Sequence, residues 1–373
     1  MSVAGTSTVA PTVETGGATV PVDSDPTVLP TVAPAAAPAA RPGAALDVAP
    51  GPAHGTGELV LSMQGVSKRF GDFEAVKDLT LQVPQGGLFG LIGPSGCGKT
   101  TTVRLLLGVY EPTTGEARVF GEQPHRFRRA TRERIGYLPQ QFVLYPTLTV
   151  EENLNFAAST YGLGPFARRR YKQQVLELVG LAEHRKKLAG DISGGMQRRL
   201  GLAATLLHQP DLIFLDEPTA GIDPILREQL WTEFRRIQDM GRTQLVTTQY
   251  VAEAEYCDTV VLMDAGEIVA LGAPESLRQQ VAGGDLVDAT IPDVDRALMG
   301  RLRAMRGVRS ARYLGDSEVR LVVEDAGEII PLVIATAQEA GTPVQQVEER
   351  RLSFNEVFVA LLEQAGREVR GYE

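Results

Sequence analysis

Eight residues, Gly93-Pro94-Ser95-Gly96-Cys97-Gly98-Lys99-Thr100, have the order needed to hold a chain of phosphates. Gly93, Gly96 and Gly98 let the backbone turn tightly, so that its N–H groups converge on an anion at the start of a helix, where the helix dipole also favours negative charge. Lys99 then reaches the β- and γ-phosphates of a nucleoside triphosphate, and the Thr100 hydroxyl can sit on Mg²⁺. A glycine-rich turn with a stray lysine would look similar in isolation. The surroundings argue against it: Leu88 to Ile92 is a short apolar run of the kind found in buried parallel strands, and Thr101 opens a helical pattern.

A second group of reactive side chains falls at the ends of other apolar runs. Leu212 to Leu215 leads into Asp216, Glu217 and Pro218, which puts two carboxylates at the carboxyl edge of a strand, where parallel α/β sheets bind their ligands. Asp216 suits a carboxylate that meets Mg²⁺ through a bound water, and Glu217 suits a base that orients and deprotonates water for attack on a γ-phosphate. Gln140 follows the strand Ile135 to Leu138, where its amide holds a water or a metal-bound water, or is simply solvated. Ser193, Gly194 and Gly195 open the helix that runs on to His208 and form either a second anion-binding helix start or a plain serine-glycine cap. Ala220 to Asp223 turns into the helix that begins at Pro224, with Pro in the first turn where it costs little. Phe70, followed by Gly71, ends an early strand and is either a ring for stacking on adenine or an ordinary core aromatic.

These groups need an α/β scaffold, and the chain has the means to build one. Its 373 residues allow about two or three domains, and its 43% hydrophobic content is enough for packed cores. No apolar run approaches the roughly 18 to 20 residues of a membrane span, so a membrane role has to pass through a partner. A net charge of −9 argues against a general nucleic-acid binder. The basic clusters Arg168 to Arg170 and Arg185 to Lys187 read as solvated faces or as a surface near lipid head groups. Two cysteines, Cys97 and Cys257, build no disulfide framework and fit a reducing, cytoplasmic compartment.

Residues 1–57 are rich in Ala, Pro, Thr, Val and Gly without helical or strand periodicity, and read as a disordered tail rather than a secretory signal. Residues 58–282 carry the motifs above. Their helical portion spans about 149–208 and opens with Thr149 and Glu152 as a capping box. After the glycine break at 282–285, residues 283–373 read as strand 286–291, helix 293–305, strands 308–314 and 318–324, helix 328–340 and strand 344–350. That β-α-β-β-α-β order is the ferredoxin-like sandwich. Pro331 is expected to hold the start of the second helix close to itself. A last helix capped by Ser353 and Glu356 presents Phe354, Val357, Phe358, Leu361 and Leu362 as one stripe, to be covered by its own domain or by a second subunit.

The phosphate loop, Gln140, ISGGM, LDEP, Gly221-Ile222-Asp223 and a strand ending in TTQ occur in the same order as in the ATP-binding subunits of ABC transporters, which residues 59–281 resemble. GYLPQ, LYPTLTVEENL and TTQY look most like the ABC-2-type exporters, including the daunorubicin-resistance group. The resemblance implies a P-loop ATPase fold and assigns roles by position. Phe70 becomes the adenine-stacking aromatic, Gly93 to Thr100 the Walker A loop, Gln140 the Q-loop, and Ser193 to Gly195 the signature loop that meets the γ-phosphate of the opposite copy. Asp216 becomes the Walker B carboxylate, Glu217 the catalytic glutamate and Asp223 a D-loop residue. It further implies ATP and Mg²⁺, a second copy placed head to tail, and a separate integral-membrane permease that holds the chain at the cytoplasmic face of the membrane. Met196 and Gln249 depart from the pattern. Gln249 stands where the family usually has a switch histidine, and although it can donate to a phosphate oxygen it cannot take a proton. A soluble ABC-type ATPase in a non-transport process, or an ATP-binding regulator with impaired hydrolysis, are the alternatives. A small C-terminal domain of this kind reads as a brace or as a ligand sensor.

Overall fold

The computed structural model describes residues 58–141 and 144–367, so the expected tail over 1–57 lies outside the described residues. β1 (Leu59–Phe70) and β2 (Phe73–Pro84) form an antiparallel hairpin across Gly71 and Asp72, with Gly71 at a φ of 57°. β3 (Leu88–Ile92) runs through the phosphate loop into α1 (Lys99–Leu106), two residues earlier than the sequence pattern indicates. β4 (Thr114–Val119) returns to β1 and completes a three-stranded sheet. In β2, Leu79, Leu81 and Val83 are buried while Thr80 and Gln82 are exposed, the alternation of a sheet covered on one face.

α2 (Arg129–Arg132) and β5 (Ile135–Leu138) come next, and the helical portion follows as α3 (Val150–Thr160), α4 (Pro165–Leu178) and α5 (Gly194–Leu206). The expected capping box opens α3: Glu152 N–H donates to Thr149 Oγ1 at 3.1 Å, and Thr149 N–H donates to the Glu152 carboxylate at 2.8 Å. Val150, Leu154, Val175, Leu176 and Leu200 join these helices in one apolar core.

β6 (Leu212–Asp216), α6 (Pro224–Asp239), β7 (Thr243–Thr248), a 3₁₀ turn at Val251–Tyr256, β8 (Thr259–Asp264), β9 (Glu267–Gly272) and α7 (Pro274–Ala282) complete the first domain. Its main sheet has the order β5-β6-β7-β3-β8-β9, parallel except for the β8/β9 pair. Every residue of β3, β6 and β7 is buried because both faces are covered. Leu88, Ile92, Ile213, Leu215 and Val246 enter one core, whereas Phe89, Leu91, Leu212, Phe214 and Leu245 enter the other. The ends of β5, β6 and β7 therefore share an edge with the phosphate loop, and Gln140, Glu217 and Gln249 sit just beyond them.

The second domain is the expected ferredoxin-like sandwich. β10 (Asp285–Thr290), α8 (Arg296–Ala304), β11 (Val308–Gly315), β12 (Glu318–Val323), α9 (Ala326–Glu339) and β13 (Gln346–Arg350) give an antiparallel sheet in the order β11-β12-β10-β13. Leu298, Leu302, Ile329 and Val333 of the helices cover Val287, Ala289, Val319 and Leu321 of the strands.

Two expectations need correction here. α9 starts five residues before Pro331, because Asp325 caps its first turn by accepting Glu328 N–H at 3.1 Å and the proline removes only one hydrogen bond from a helix that is already nucleated. The last helix, α10 (Phe354–Gln364), is covered neither by its own domain nor by a second subunit. Its Phe354, Val357, Phe358, Leu361 and Leu362 enter the core of the first domain with Val251, Ala254 and Leu277. Arg278 Nε donates to Leu352 O at 2.9 Å, and Arg367 Nη1 donates to Asp264 O at 2.7 Å, pinning both ends of the segment.

Candidate functional site

The glycines of the phosphate loop are required for two different reasons. A Cβ on Gly93 would lie 2.0 Å from the Met263 carbonyl oxygen, so β8 leaves no room for a side chain. Gly98 combines a φ of 108° with a Cβ position 2.5 Å from Ala75 O. Ser95 and Gly96 form the exposed tip, Pro94 is half-buried, and Thr101 is half-buried on α1. Cys97 points into the core, and burial pushes its thiol up to about 11, so it is a neutral wall and not a nucleophile. Lys99 is 3% exposed, and its ammonium donates to Gly93 O at 2.8 Å and Pro94 O at 3.0 Å. It also lies 3.6 Å from Glu217 Oε1.

The carboxylates at the end of β6 close around this lysine. Asp216 is 1% exposed, and its Oδ1 accepts from Thr100 Oγ1 at 3.1 Å and from Thr247 Oγ1 at 2.6 Å. Glu217 takes a φ of 47°, an unusual conformation for a residue with a side chain, costing on the order of 1–3 kcal/mol. Its N–H is held by Thr247, at 3.1 Å from the carbonyl oxygen and 2.9 Å from the hydroxyl. Gln140 Nε2 donates to Glu217 Oε2 at 2.7 Å. Lys99, Thr100, Gln140, Asp216 and Glu217, scattered over more than a hundred positions, thus form one hydrogen-bonded and ion-paired set.

The remaining sequence-identified residues stand apart from this set. Ser193 and Gly194 are exposed, and Ser193 Oγ accepts Met196 N–H at 3.3 Å, which is a helix cap. A Cβ on Gly195 would lie 2.1 Å from Leu226 Cδ2, so the Leu226 side chain would have to swing aside to admit one. Asp223 is exposed and caps α6, accepting Leu226 N–H at 3.0 Å. Gln249 is exposed just past β7. Behind it Glu253 is buried, accepts Thr219 Oγ1 at 3.0 Å and lies 3.4 Å from Arg227 Nε; burial raises its carboxyl above the usual range. Phe70 is half-buried at the end of β1, edge-on to Tyr110 with ring centroids 5.1 Å apart and with Lys68 Nζ 5.1 Å from its ring.

Four contributors escaped the sequence reading. Thr247 was detectable as a hydroxyl inside a buried strand, where it must find a partner. Tyr110 pairs with Phe70 from far along the chain, and Tyr137 lies beside Asp216, where burial and then the Asp216 charge push its phenol up to about 12. Arg198, half-buried on α5, donates from Nε to Pro218 O at 2.7 Å, from Nη1 to Gln140 O at 2.8 Å, and from Nη2 to Glu217 O. No spacing rule announces that contact.

The donors fit a hard cation. Thr100 and Asp216 offer oxygens 3.1 Å apart, and the Gln140 amide oxygen remains after its N–H is used. Among the described residues, no cluster of three or more His, Cys, Asp or Glu could hold a metal ion. No helix among the described residues is long and apolar enough to cross a membrane.

Residues 76–220 match the family described as ABC transporter. A probable multidrug ABC transporter ATP-binding protein of Escherichia coli is 38% identical over 235 residues, covering 63% of this chain and 41% of that protein's own length. A daunorubicin resistance ATP-binding protein of Streptomyces coeruleorubidus is 35% identical over 308 residues, covering 82% of this chain and 96% of the relative. Among solved structures, a dimeric ATP-binding cassette in a post-hydrolysis state with ADP and Pi aligns with a TM-score of 0.52 at 25% identity, over 57% of this chain and 98% of that one.

Proposed function

Because the chain belongs to the ATP-binding subunits of ABC transporters, whose ATPase domain binds ATP, we propose that it hydrolyses MgATP as one half of a head-to-tail pair and thereby powers an exporter. The observation that carries this reading is the unequal finish of its two phosphate-seeking helix starts. One is enclosed with Lys99, Glu217 and Gln140, while the other presents Ser193 to the outside.

In this reading Phe70 stacks on the base, the loop from Gly93 to Thr101 wraps the phosphates, and Lys99 exchanges the Gly93 and Pro94 carbonyls for the more strongly accepting phosphate oxygens. That movement frees Glu217 Oε1 to accept a proton from water, with Gln140 keeping Oε2 oriented. Mg²⁺ held by Thr100 and Asp216, with Gln140 on its water, would neutralise charge on the β- and γ-oxygens. Ser193 and the N–H groups at Gly194 and Gly195 complete the second copy's site, Asp223 lies near the junction, and Gln249 senses the γ-phosphate without titrating. A separate integral-membrane permease would hold the chain at the cytoplasmic face of the membrane and carry the substrate path. Drug resistance and multidrug transport in the names of the relatives favour export. The C-terminal domain acts as a brace, since α10 lies against the 3₁₀ turn that follows Gln249.

Steady-state phosphate release in the assembled complex tests the assignment. Glu217→Gln should lose on the order of 10²-fold or more, the range for a positioned base, while Gln249→Ala keeps measurable turnover. An active Glu217→Gln with a dead Gln249→Ala would reverse the roles, and a wild-type complex that binds ATP without releasing phosphate would favour the hydrolysis-impaired regulator.

A further inference from the structure

The backbone of Glu217 is held out of its ordinary conformation from two sides. Its φ of 47° is a conformation a glutamate leaves when nothing holds it. Its N–H is fixed by Thr247 of β7. Its carbonyl oxygen is fixed by Arg198, which belongs to α5, the helix whose N-terminus is the Ser193 loop. The same guanidinium holds Pro218 O and, from a separate segment, Gln140 O. Three carbonyls from two segments are thus tied to a single planar fork, whose N–H directions are rigid with respect to one another.

We infer that Arg198 is a positioning residue that ties the Ser193 helix start to the backbone of Glu217 and Gln140 of its own chain. This rests on the paired-ATPase reading above and deepens it. In a head-to-tail pair, Ser193 meets the nucleotide bound by the second copy, while Glu217 acts on the nucleotide bound by its own chain. Arg198 is five residues from Ser193 on one rigid helix, so a shift of that helix on meeting the second nucleotide moves the guanidinium. The carbonyls of Glu217 and Gln140 move with it, and their side chains, hydrogen-bonded to each other at 2.7 Å, are re-aimed together. Each nucleotide would therefore influence hydrolysis of the other through three hydrogen bonds. A misplacement of about 1 Å in a reacting group costs roughly 10²-fold.

The test uses the full chain with its membrane partner and the variants Arg198→Ala and Arg198→Lys, measuring kcat, KM for MgATP, bound ATP per chain and melting temperature. Arg198→Ala should lower kcat by about 10²-fold while KM stays within about threefold, because the phosphate loop is untouched. Arg198→Lys keeps the charge but loses the fork, and should recover part of the rate, leaving a loss of about 10-fold. Cooperativity of turnover in ATP should fall in both. Wild-type kcat in Arg198→Ala overturns the inference. So does a rate loss in both variants that only tracks a fall in bound ATP per chain and in melting temperature, since that is what a merely structural arginine would give. Should Arg198→Ala fail to fold, Arg198→Lys alone decides, with wild-type turnover and cooperativity counting against. Glu217→Gln, measured in parallel, separates the two levels: if it turns over at the wild-type rate the catalytic assignment itself falls, whatever Arg198 does.

Discussion

The two glycine-bearing helix starts of this molecule, at Lys99 and at Gly194, share a motif logic and differ in their surroundings. The first is walled in: Lys99 is 3% exposed, and Thr100, Asp216, Gln140 and Glu217 reach one another within it. The second is a capped helix end on the surface, with Ser193 and Gly194 exposed. Backbone N–H groups at a helix start attract anions in either setting. At the first, a buried ammonium, two carboxylates and a hydroxyl stand together around the loop. One start is therefore finished within the chain, and the other is offered outward.

How far the finished start extends is open to measurement. The core beneath the 3₁₀ turn at Val251–Tyr256 includes α10, so Phe358→Ala, at a position with no exposure, should cost about 3–5 kcal/mol of stability. A chemical-denaturation midpoint close to wild type would confine the finished start to the first domain. Lys99→Ala removes the charged group inside the loop and should weaken MgATP binding by roughly 10²-fold, as loss of charge-assisted hydrogen bonds at about 1.5–3 kcal/mol each implies. Binding titrations within about threefold of wild type would erase the contrast between the two starts. Ser193→Ala should be the mildest change. It costs the α5 cap about 1 kcal/mol and leaves single-chain MgATP affinity intact, while ATP-driven pairing of the Glu217→Gln protein, read by light scattering, falls about 10-fold, a loss of about 1.4 kcal/mol shared between the two sites of the pair. Unchanged pairing would show that the exposed start meets no phosphate.

Much of this site was legible before the fold. Lys99, Thr100, Asp216 and Glu217 were identified from residue type and from their position at strand ends, and the structure brings them together as chemistry requires. Gln140 was singled out as an amide at a strand end, and the fold adds its hydrogen bond to Glu217. Arg198 could not be anticipated, since a long side chain on a helix reaches many places and its target depends on packing. Thr247 falls between these cases: a threonine in a strand buried at every position signals an obligatory hydrogen bond but does not name its acceptor.

The amino-acid sequence alone determined the strand and helix periods, the capping boxes at Thr149 and Ser353, the glycine-dependent loop and the ferredoxin-like element order, because all of these depend on covalent geometry and neighbours a few residues away. Only the tertiary structure decided that α10 seats on the first domain, that Glu217 is held at a positive φ from both sides, and that α9 begins ahead of Pro331. An apolar stripe states that it must be covered and a strained residue states that it must be held. Which surface covers and which side chain holds are set by the three-dimensional packing of segments remote in sequence, where burial and hydrogen bonding at the destination outweigh local preference.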